Sequence, residues 1–462
     1  MIKNIDDNQN IIQSENLVDY FINIYLSNMD LICENTGEAM NLARREAIEN
    51  FNINSIYNHE NEKYKHINIR KIFSYAYEKY FVPTAFQKTS DIFICDVYDL
   101  VSYKIFLQNG FYCNKNEKLT ILENGVVYGS LAEASIKYPE LFKQYYNKIS
   151  DNENEGLAAL NTAFAQDGIF VYIPQNVVLD KPLQITNILL GESNTMVQHR
   201  NLFIVEQNAQ ANILICNNTF SDSKFLTNCV NETFAGNNAH LNVVRLQNEH
   251  NNSNHFSFSH IKQENGSYYT DNTITLNGGV VCNNINTLLA GEHCENHTFG
   301  LFLVDRSQYV ANYTSVNHAA PHCTSNEHFK GILDDSATGI FKGKILVSSH
   351  ADKTEAFQTN NNIMLSDSSR MFTRPQLEIY ADDVKCSHGV TVGRLDEEVL
   401  FYMRSRGIEY RRAQLLQLFG FAYDVIRKIN IEVLRNSVAD LVEKRLRGEL
   451  SQCIGCTYQC KK

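Results

Sequence analysis

The sequence predicts a mainly β protein with helical regions at either end. Three observations carry this. From about Gly168 to Leu395 helical periodicity is lost, and short β-rich runs bounded by Asn, Gly, Asp or Ser recur instead. Ahead of that stretch, Leu17, Tyr20, Phe21, Ile24 and Tyr25 recur at helical spacing. Beyond it, Leu415, Leu418, Ala422, Val425 and Ile429 share one helical stripe. The chain has 462 residues and 44% hydrophobic content, enough for several domains with a sizeable core.

Taken in order, residues 1–165 read as an N-terminal, mainly helical region with some strand, an α/β mixture. After the helix around Leu17 to Tyr25, a second fits Glu38 to Phe51, with Met40, Ala43 and Ala47 on one side. Val82-Pro83-Thr84 interrupts the pattern. Asp91 to Cys95 and Leu119 to Leu122 read as short strands. The second passes through the turn signal Glu123-Asn124-Gly125 into Val126 to Gly129. Ser130 with Glu133 three residues on is a capping box that opens a helix. A further short helix fits Gly156 to Phe164.

Residues 166–393 form the β core. Its runs include Ile169 to Ile173, Asn201 to Val205, Asn212 to Ile215, Leu241 to Leu246, Tyr268 to Leu276, Phe299 to Val304 and Lys344 to Val347. No strict short repeat is visible, and composition leaves a sandwich, a barrel and a solenoid open. Residues 394–450 return to helix. Asp396, Glu397 and Glu398 occupy the first turn, where negative charge suits the macrodipole, and Gly407 ends it. Leu434, Val438, Leu441 and Val442 give a second stripe. Residues 451–462 are a cysteine-containing tail.

Charge and cysteine usage narrow the function. The net charge is −11, from 41 basic and 52 acidic residues. That excludes a nucleic-acid binder, which needs a basic surface to neutralise phosphates. The N-terminus lacks a basic segment followed by an apolar one, so no secretory signal is expected. No apolar run approaches the ~20 residues of a membrane span. The expectation is a cytoplasmic protein whose 12 cysteines are thiols.

Chemistry concentrates at residues 380–408. The β region ends at Tyr380-Ala381-Asp382-Asp383, and Cys386 and His388 follow. Two residues apart on a strand means one face, and sulfur with imidazole suits iron, zinc or copper. A buried thiol beside a hydrogen-bonded histidine fits the same letters. In the tail, Cys453, Cys456 and Cys460 make a Cys-x2-Cys-x3-Cys run without a fourth ligand. It is a candidate metal site or a flexible thiol-bearing end. His293, Cys294 and His297, and likewise His318, His322, Cys323 and His328, lack zinc-finger spacing. Gly339 to Ile345 contains Gly-Lys but neither the gap nor the Ser/Thr of a P-loop, and no Rossmann fingerprint or Gly-x-Ser-x-Gly elbow is present. No catalytic residue and no nucleotide site are assigned.

The stretch from Leu377 to Ile408 resembles the C-terminal motif of the SufB/SufD family, scaffold proteins of iron–sulfur cluster assembly. Two further stretches share the resemblance. One runs from Ala158 to Gly168, followed by Val171-Tyr172-Ile173-Pro174 and Lys181-Pro182. The other is His318 to Ser325, with Phe329-Lys330-Gly331 and Phe341-Lys342-Gly343-Lys344. Residues 1 to about 120 match far less specifically. Lys385-Cys386-Ser387-His388-Gly389, Val392-Gly393-Arg394-Leu395-Asp396 and Phe401 to Ile408 are similar to the SufD branch; the SufB branch carries a Glu-His-Glu-Ala type motif instead.

The resemblance implies a right-handed parallel β-helix between helical terminal regions, and a scaffold without catalytic activity. It implies a heterodimer with a SufB-like subunit through the β-helix ends, or a homodimer where the chain stands alone. It further implies a SufC-type ABC ATPase docked on residues 409–446, which makes Leu415, Leu418, Ala422, Val425 and Ile429 candidate partner-binding residues. A transient iron–sulfur cluster or iron would sit at the subunit interface, with His388 as this chain's ligand and Cys386 in support. The alternatives are a SufB-like sulfur-accepting scaffold, which the motif at 385–396 disfavours, and a carbohydrate-active β-helix enzyme such as a pectate lyase. The missing secretory signal and the free thiols weigh against the latter.

Overall fold

Strand alternation and turn chemistry between residues 169 and 393 resolve into a parallel β-solenoid of about 7 turns in a computed structural model of the chain. The structure describes residues 17–51, 63–83, 97, 100–114, 116–150 and 155–449. The strand expected at Asp91 to Cys95 and the tail cysteines Cys453, Cys456 and Cys460 lie outside the described residues.

Short strands come first: β1 (Glu78–Lys79), β2 (Tyr103–Gln108), β3 (Phe111–Tyr112), β4 (Leu119–Ile121) and β5 (Val127–Ser130). From there strands alternate between two sheets. The first sheet takes β6 (Ile169–Ile173), then β8 (Thr195–Val205), β10 (Phe225–Ala235), β12 (Asn254–Gln263), β14 (Val280–Leu289), β16 (Tyr309–His318), β18 (Thr338–Val347) and β20 (Arg370–Ile379). The second takes β7 (Leu183–Leu189), β9 (Gln210–Thr219), β11 (His240–Asn248), β13 (Tyr268–Asn277), β15 (Glu295–Val304), β17 (Thr324–Leu333), β19 (Thr354–Met364) and β21 (Val384–Gly393). Neighbours along each run are parallel. This excludes the sandwich and barrel alternatives. Ladder partners one coil apart are separated by 26 residues at Ser257 and Asn283 and by 31 at Glu327 and Gln358. That drift explains why no strict repeat shows in the sequence.

Abundant asparagine has a structural role here. Asn176, Asn208, Asn238, Gly266, His293, His322 and Lys353 stack at one corner in the left-handed region, which Asn and Gly tolerate best. Asn208 Nδ2 donates to Asn176 Oδ1 at 2.8 Å, and Asn238 Nδ2 donates to Asn208 Oδ1 at 3.1 Å. At Gly266 a Cβ would lie 2.4 Å from Asn238 Oδ1, so a larger residue there would displace the Asn238 side chain. His293 and His322 stack with ring centroids 4.9 Å apart, while Cys294 and Cys323 are buried behind them.

Each sheet is covered on its outer face by one end of the chain. Helices α1 (Leu17–Cys33), α2 (Glu38–Asn50), α3 (Ile69–Phe73), α4 (Leu131–Lys137), α5 (Pro139–Tyr145) and α6 (Gly156–Phe164) lie in the N-terminal region. Phe21, Tyr25, Phe73 and Phe164 from this region pack against Leu226, Val230, Phe256 and Phe258 of the first sheet. Helices α7 (Glu397–Ser405), α8 (Tyr410–Ile426) and α9 (Glu432–Leu446) follow the solenoid. Leu418, Val425, Leu434 and Val438 pack against Leu214, Val244, Leu246 and Phe299 of the second sheet.

The first interface also holds a buried ion pair. Arg200 Nη2 lies 2.8 Å from Glu232 Oε2, and Arg200 donates to Thr162 Oγ1 at 2.7 Å and to Asn147 Oδ1 at 3.0 Å. Glu232 in turn accepts from the backbone amides of Asn147 and Ile149.

Two helix starts differ in detail from expectation. Ser130 does cap α4, accepting from the Glu133 amide at 3.2 Å. Glu133 does not reciprocate; its carboxylate lies 3.3 Å from both Lys118 and Lys137, a charge pairing that replaces the second half of the box. Asp396 is the N-cap of α7 rather than part of its first turn, accepting from the amides of Glu398 and Val399. Gly407, with φ of 85°, follows the last residues of that helix as expected.

Candidate functional site

The two ends of the solenoid differ. At the N-terminal end, β2 pairs antiparallel with β3 and β4 with β5, so the terminal strands there are two and three residues long. At the other end β20 and β21 are the outermost strands of their sheets, each ten residues long. Among the described residues no further coil covers them. Lumen-facing positions that are buried in earlier coils are therefore half-buried or exposed in this last one.

Cys386 and His388 both lie on β21. In register, Cys386 is opposite Ala356 and His388 is opposite Gln358. Ala356 and Gln358 are buried lumen positions of β19. The expectation that thiol and imidazole share a face is thus met by the backbone, and that face is the mouth of the lumen. His388 is exposed there, whereas Cys386 is half-buried and packs against the apolar cluster that contains Ala356. Burial raises the Cys386 thiol above its ordinary value, only partly offset by a hydrogen bond from the Ala356 backbone. It rests as a neutral thiol, and must lose its proton to bind metal.

Beneath His388 runs a polar column. Asp271, Thr298, Glu327, Gln358 and His388 are in register on successive coils. Gln358 Nε2 donates to Glu327 Oε2, while Glu327 Oε1 is buried without a hydrogen-bond partner. Burial is the main cause that pushes the Glu327 carboxyl up to about 7, from an ordinary 4.5. The folded chain therefore favours the neutral acid. Its stabilising effect is complete below the ordinary value and is lost as pH rises through about 7. A shift of this size corresponds to about 3 kcal/mol. Glu327→Gln stays neutral throughout, so it is expected to flatten the fall in urea-unfolding stability between about pH 5 and pH 8. An unchanged slope would assign the fall to another group.

The mouth is also apolar at its rim. Ile379, Tyr380, Val392, Phe401 and Tyr402 are exposed, and all belong to the last coil or to the helix that follows. Exposed apolar area of this extent beside unpaired strand edges marks an interaction surface. Among the described residues no group of three or more His, Cys, Asp or Glu side chains converges to hold a metal. Among the described residues Cys386 and His388 offer two possible donors at the mouth, fewer than the four of a closed site.

The stripe on α8 has a different place from the one expected. Leu418, Ala422, Val425 and Ile429 are buried in the cluster that joins α8 and α9 to the second sheet, and Leu415 is half-buried. The amphipathic pattern was real, but its apolar side covers this chain's own solenoid. Leu416, Tyr423 and Val433 remain exposed on these helices.

Sequence comparison places this architecture among known proteins. The family model described as "SUF system FeS cluster assembly, SufBD core domain" matches residues 188–421, and that described as "SufBD protein N-terminal region" matches residues 15–185. The chain belongs to the SufBD family of iron–sulfur cluster assembly proteins. It is 31% identical over 292 residues to the iron–sulfur cluster assembly protein SufD of Escherichia coli, covering 63% of this chain and 69% of that one. It is 29% identical over 357 residues to an iron–sulfur cluster assembly SufBD family protein of Synechocystis, covering 75% and 76%. SufD of Bacillus subtilis is 25% identical over 334 residues, covering 70% and 75%.

Proposed function

We propose that this chain is a SufD-like, non-catalytic scaffold subunit that helps form and hand on nascent iron–sulfur clusters in the cytoplasm. The observation that carries the reading is the open mouth, where His388 stands exposed on a lumen-facing position of an edge strand. The cluster, or its iron, is the cargo. His388 is its ligand from this chain, and Cys386 supports it. Imidazole in place of thiolate on iron adds no negative charge and leaves the site labile, which suits a cluster that must leave.

The remaining ligands come from a SufB-like subunit whose own open coil stacks on β20 and β21. A SufC-like ATPase docks on the C-terminal helices, through the face that carries Leu416, Tyr423 and Val433 rather than the buried stripe. The eight described cysteines are free thiols, in keeping with a reducing compartment.

Co-purification with a SufB-like subunit and a SufC-type ATPase tests this. The three chains are expected to form a stable complex. Val392→Asp, at the rim of the mouth, is expected to weaken association with the SufB-like subunit by roughly tenfold or more, since it leaves a charge at an apolar interface. Association undiminished by this change would remove the mouth as the interface. Absence of any association with the ATPase would overturn the docking assignment.

A further inference from the structure

Two thiols meet inside the corner that carries the His293–His322 stack. Cys294 and Cys323 each stand one residue before a strand, β15 and β17, and those strands pair with Glu295 opposite Thr324. The Thr324 amide donates to the Cys294 carbonyl at 2.8 Å, which sets the two cysteines one above the other on adjacent coils. Their sulfurs converge. Cys294 Sγ lies 3.1 Å and Cys323 Sγ 3.2 Å from the same acceptor, the Gly291 carbonyl oxygen, and the two thiols hydrogen-bond one another. Neighbouring parallel strands run about 4.8 Å apart, inside the roughly 4.4–6.8 Å Cα separation that a disulfide spans.

The two sulfurs are not equivalent. Ser267 Oγ donates to Cys294 Sγ at 3.6 Å. The hydrogen bond from Cys323, helped by the one from Ser267, outweighs burial and pulls the Cys294 thiol down to about 7. Cys323, as the donor, is pushed the other way. Burial alone pushes the thiols of Cys113 and Cys229 up to about 12. Cys294 is therefore the thiol that ionises first, with a second thiol in contact to resolve it. Both side chains are buried, yet each is one residue from an exposed histidine in the left-handed region, with φ of 57° at His293 and 59° at His322. Surface turns of this kind open locally at lower free energy than the strands beneath them.

We propose that Cys294 and Cys323 are a reversible redox pair that closes into a disulfide between two coils of the solenoid on exposure to hydrogen peroxide. The Cys294 thiolate attacks a peroxide oxygen, the O–O bond breaks, and the sulfur becomes a sulfenic acid as hydroxide leaves. The Cys323 sulfur then attacks that sulfur. The S–S bond forms, and the sulfenic oxygen leaves as water with the Cys323 proton. Hydroxide takes up the proton that Cys294 had released, so two thiols and one peroxide give one disulfide and two waters. A dithiol reductant reverses the step by exchange. The bond staples β15 to β17, beneath β19 and β21 at the open end of the second sheet.

The test uses the full reduced chain without iron or partner subunits, so its outcome does not depend on the scaffold assignment. The chain is treated with hydrogen peroxide, remaining thiols are alkylated under denaturing conditions, and non-reduced peptides are mapped by mass spectrometry. A cross-linked pair of peptides containing Cys294 and Cys323, lighter by two hydrogens than the separate peptides, is expected as the main product at these positions. Dithiothreitol is expected to return both to alkylatable thiols. In Cys323→Ser the serine keeps a hydroxyl donor for the Gly291 carbonyl but cannot resolve the sulfenic acid. Cys294 of that variant is expected to be trapped by dimedone instead of cross-linked. The oxidised native chain is expected to melt several degrees above the reduced one, a shift that disappears in Cys323→Ser. Cys294 and Cys323 left alkylatable by peroxide that oxidises other thiols of the chain, or each linked to a different cysteine, overturns the proposal; this map of the native chain decides even where the variant fails to fold.

Discussion

Replacing His388 with alanine is expected to leave the chain folded and to cut cluster yield in the reconstituted complex at least tenfold. The first half follows from place. His388 is exposed on the outermost strand, and the residue opposite it, Gln358, already donates its hydrogen bond to Glu327. Removing the imidazole strands no buried partner and opens no cavity, so an unchanged thermal midpoint is expected. The second half follows from ligand count. With two donors at the mouth among the described residues, losing the exposed one leaves there a half-buried thiol that is neutral at rest. Cys386→Ser should therefore have the smaller effect. Iron and sulfide content of the purified complex, with its composition checked by size-exclusion chromatography, decides the matter. Normal cluster yield from an intact His388→Ala complex would sink the assignment.

The largest effect on stability is expected at Arg200. Its guanidinium is wholly buried, pairs with Glu232, and lies 4.9 Å from the Tyr146 ring centroid. Arg200→Ala removes the charge that answers Glu232 in this pair and the hydrogen bonds that Arg200 donates to Thr162 and Asn147. Breaking a buried pair from one side typically costs about 3–5 kcal/mol, a large share of the roughly 5–15 kcal/mol that a folded protein has. Changing both partners, Arg200→Met with Glu232→Gln, should recover much of the loss. The glutamine keeps an oxygen for the Asn147 and Ile149 amides without leaving a lone charge. Denaturant midpoints of the single and double variants provide the comparison. A single variant within about 1 kcal/mol of the native chain would mean that water reaches this site.

Much of the fold could be read locally. The runs at Ile169 to Ile173 and Tyr268 to Leu276 are strands because alternation and turn residues are short-range signals. The helix at Gly156 to Phe164 was legible for the same reason. The solenoid was not, because it depends on which strand each strand pairs with, and that partner lies 26 to 32 residues away at a varying offset. The family resemblance supplied what local pattern lacked. The stripe at Leu418, Ala422, Val425 and Ile429 shows the same limit. Periodicity shows that one side of a helix is apolar and says nothing of what it meets, which here is Leu214 and Val244.

At the site, the shared face of Cys386 and His388 was legible from strand geometry. The column of Gln358 and Glu327 beneath them was not, since its members are brought together only by register between coils.

The unequal ends of the solenoid bear on how large an assembly can become. A sheet edge recruits another strand until something stops it. Here one end stops at strands of two and three residues, while the other offers ten-residue strands. Among the described residues such a unit offers one long edge. In the pairing proposed above, a partner of the same build would use its own long edge at the mouth, which favours a closed pair over a growing fibre. Concentration would then fill that single valence without adding a second.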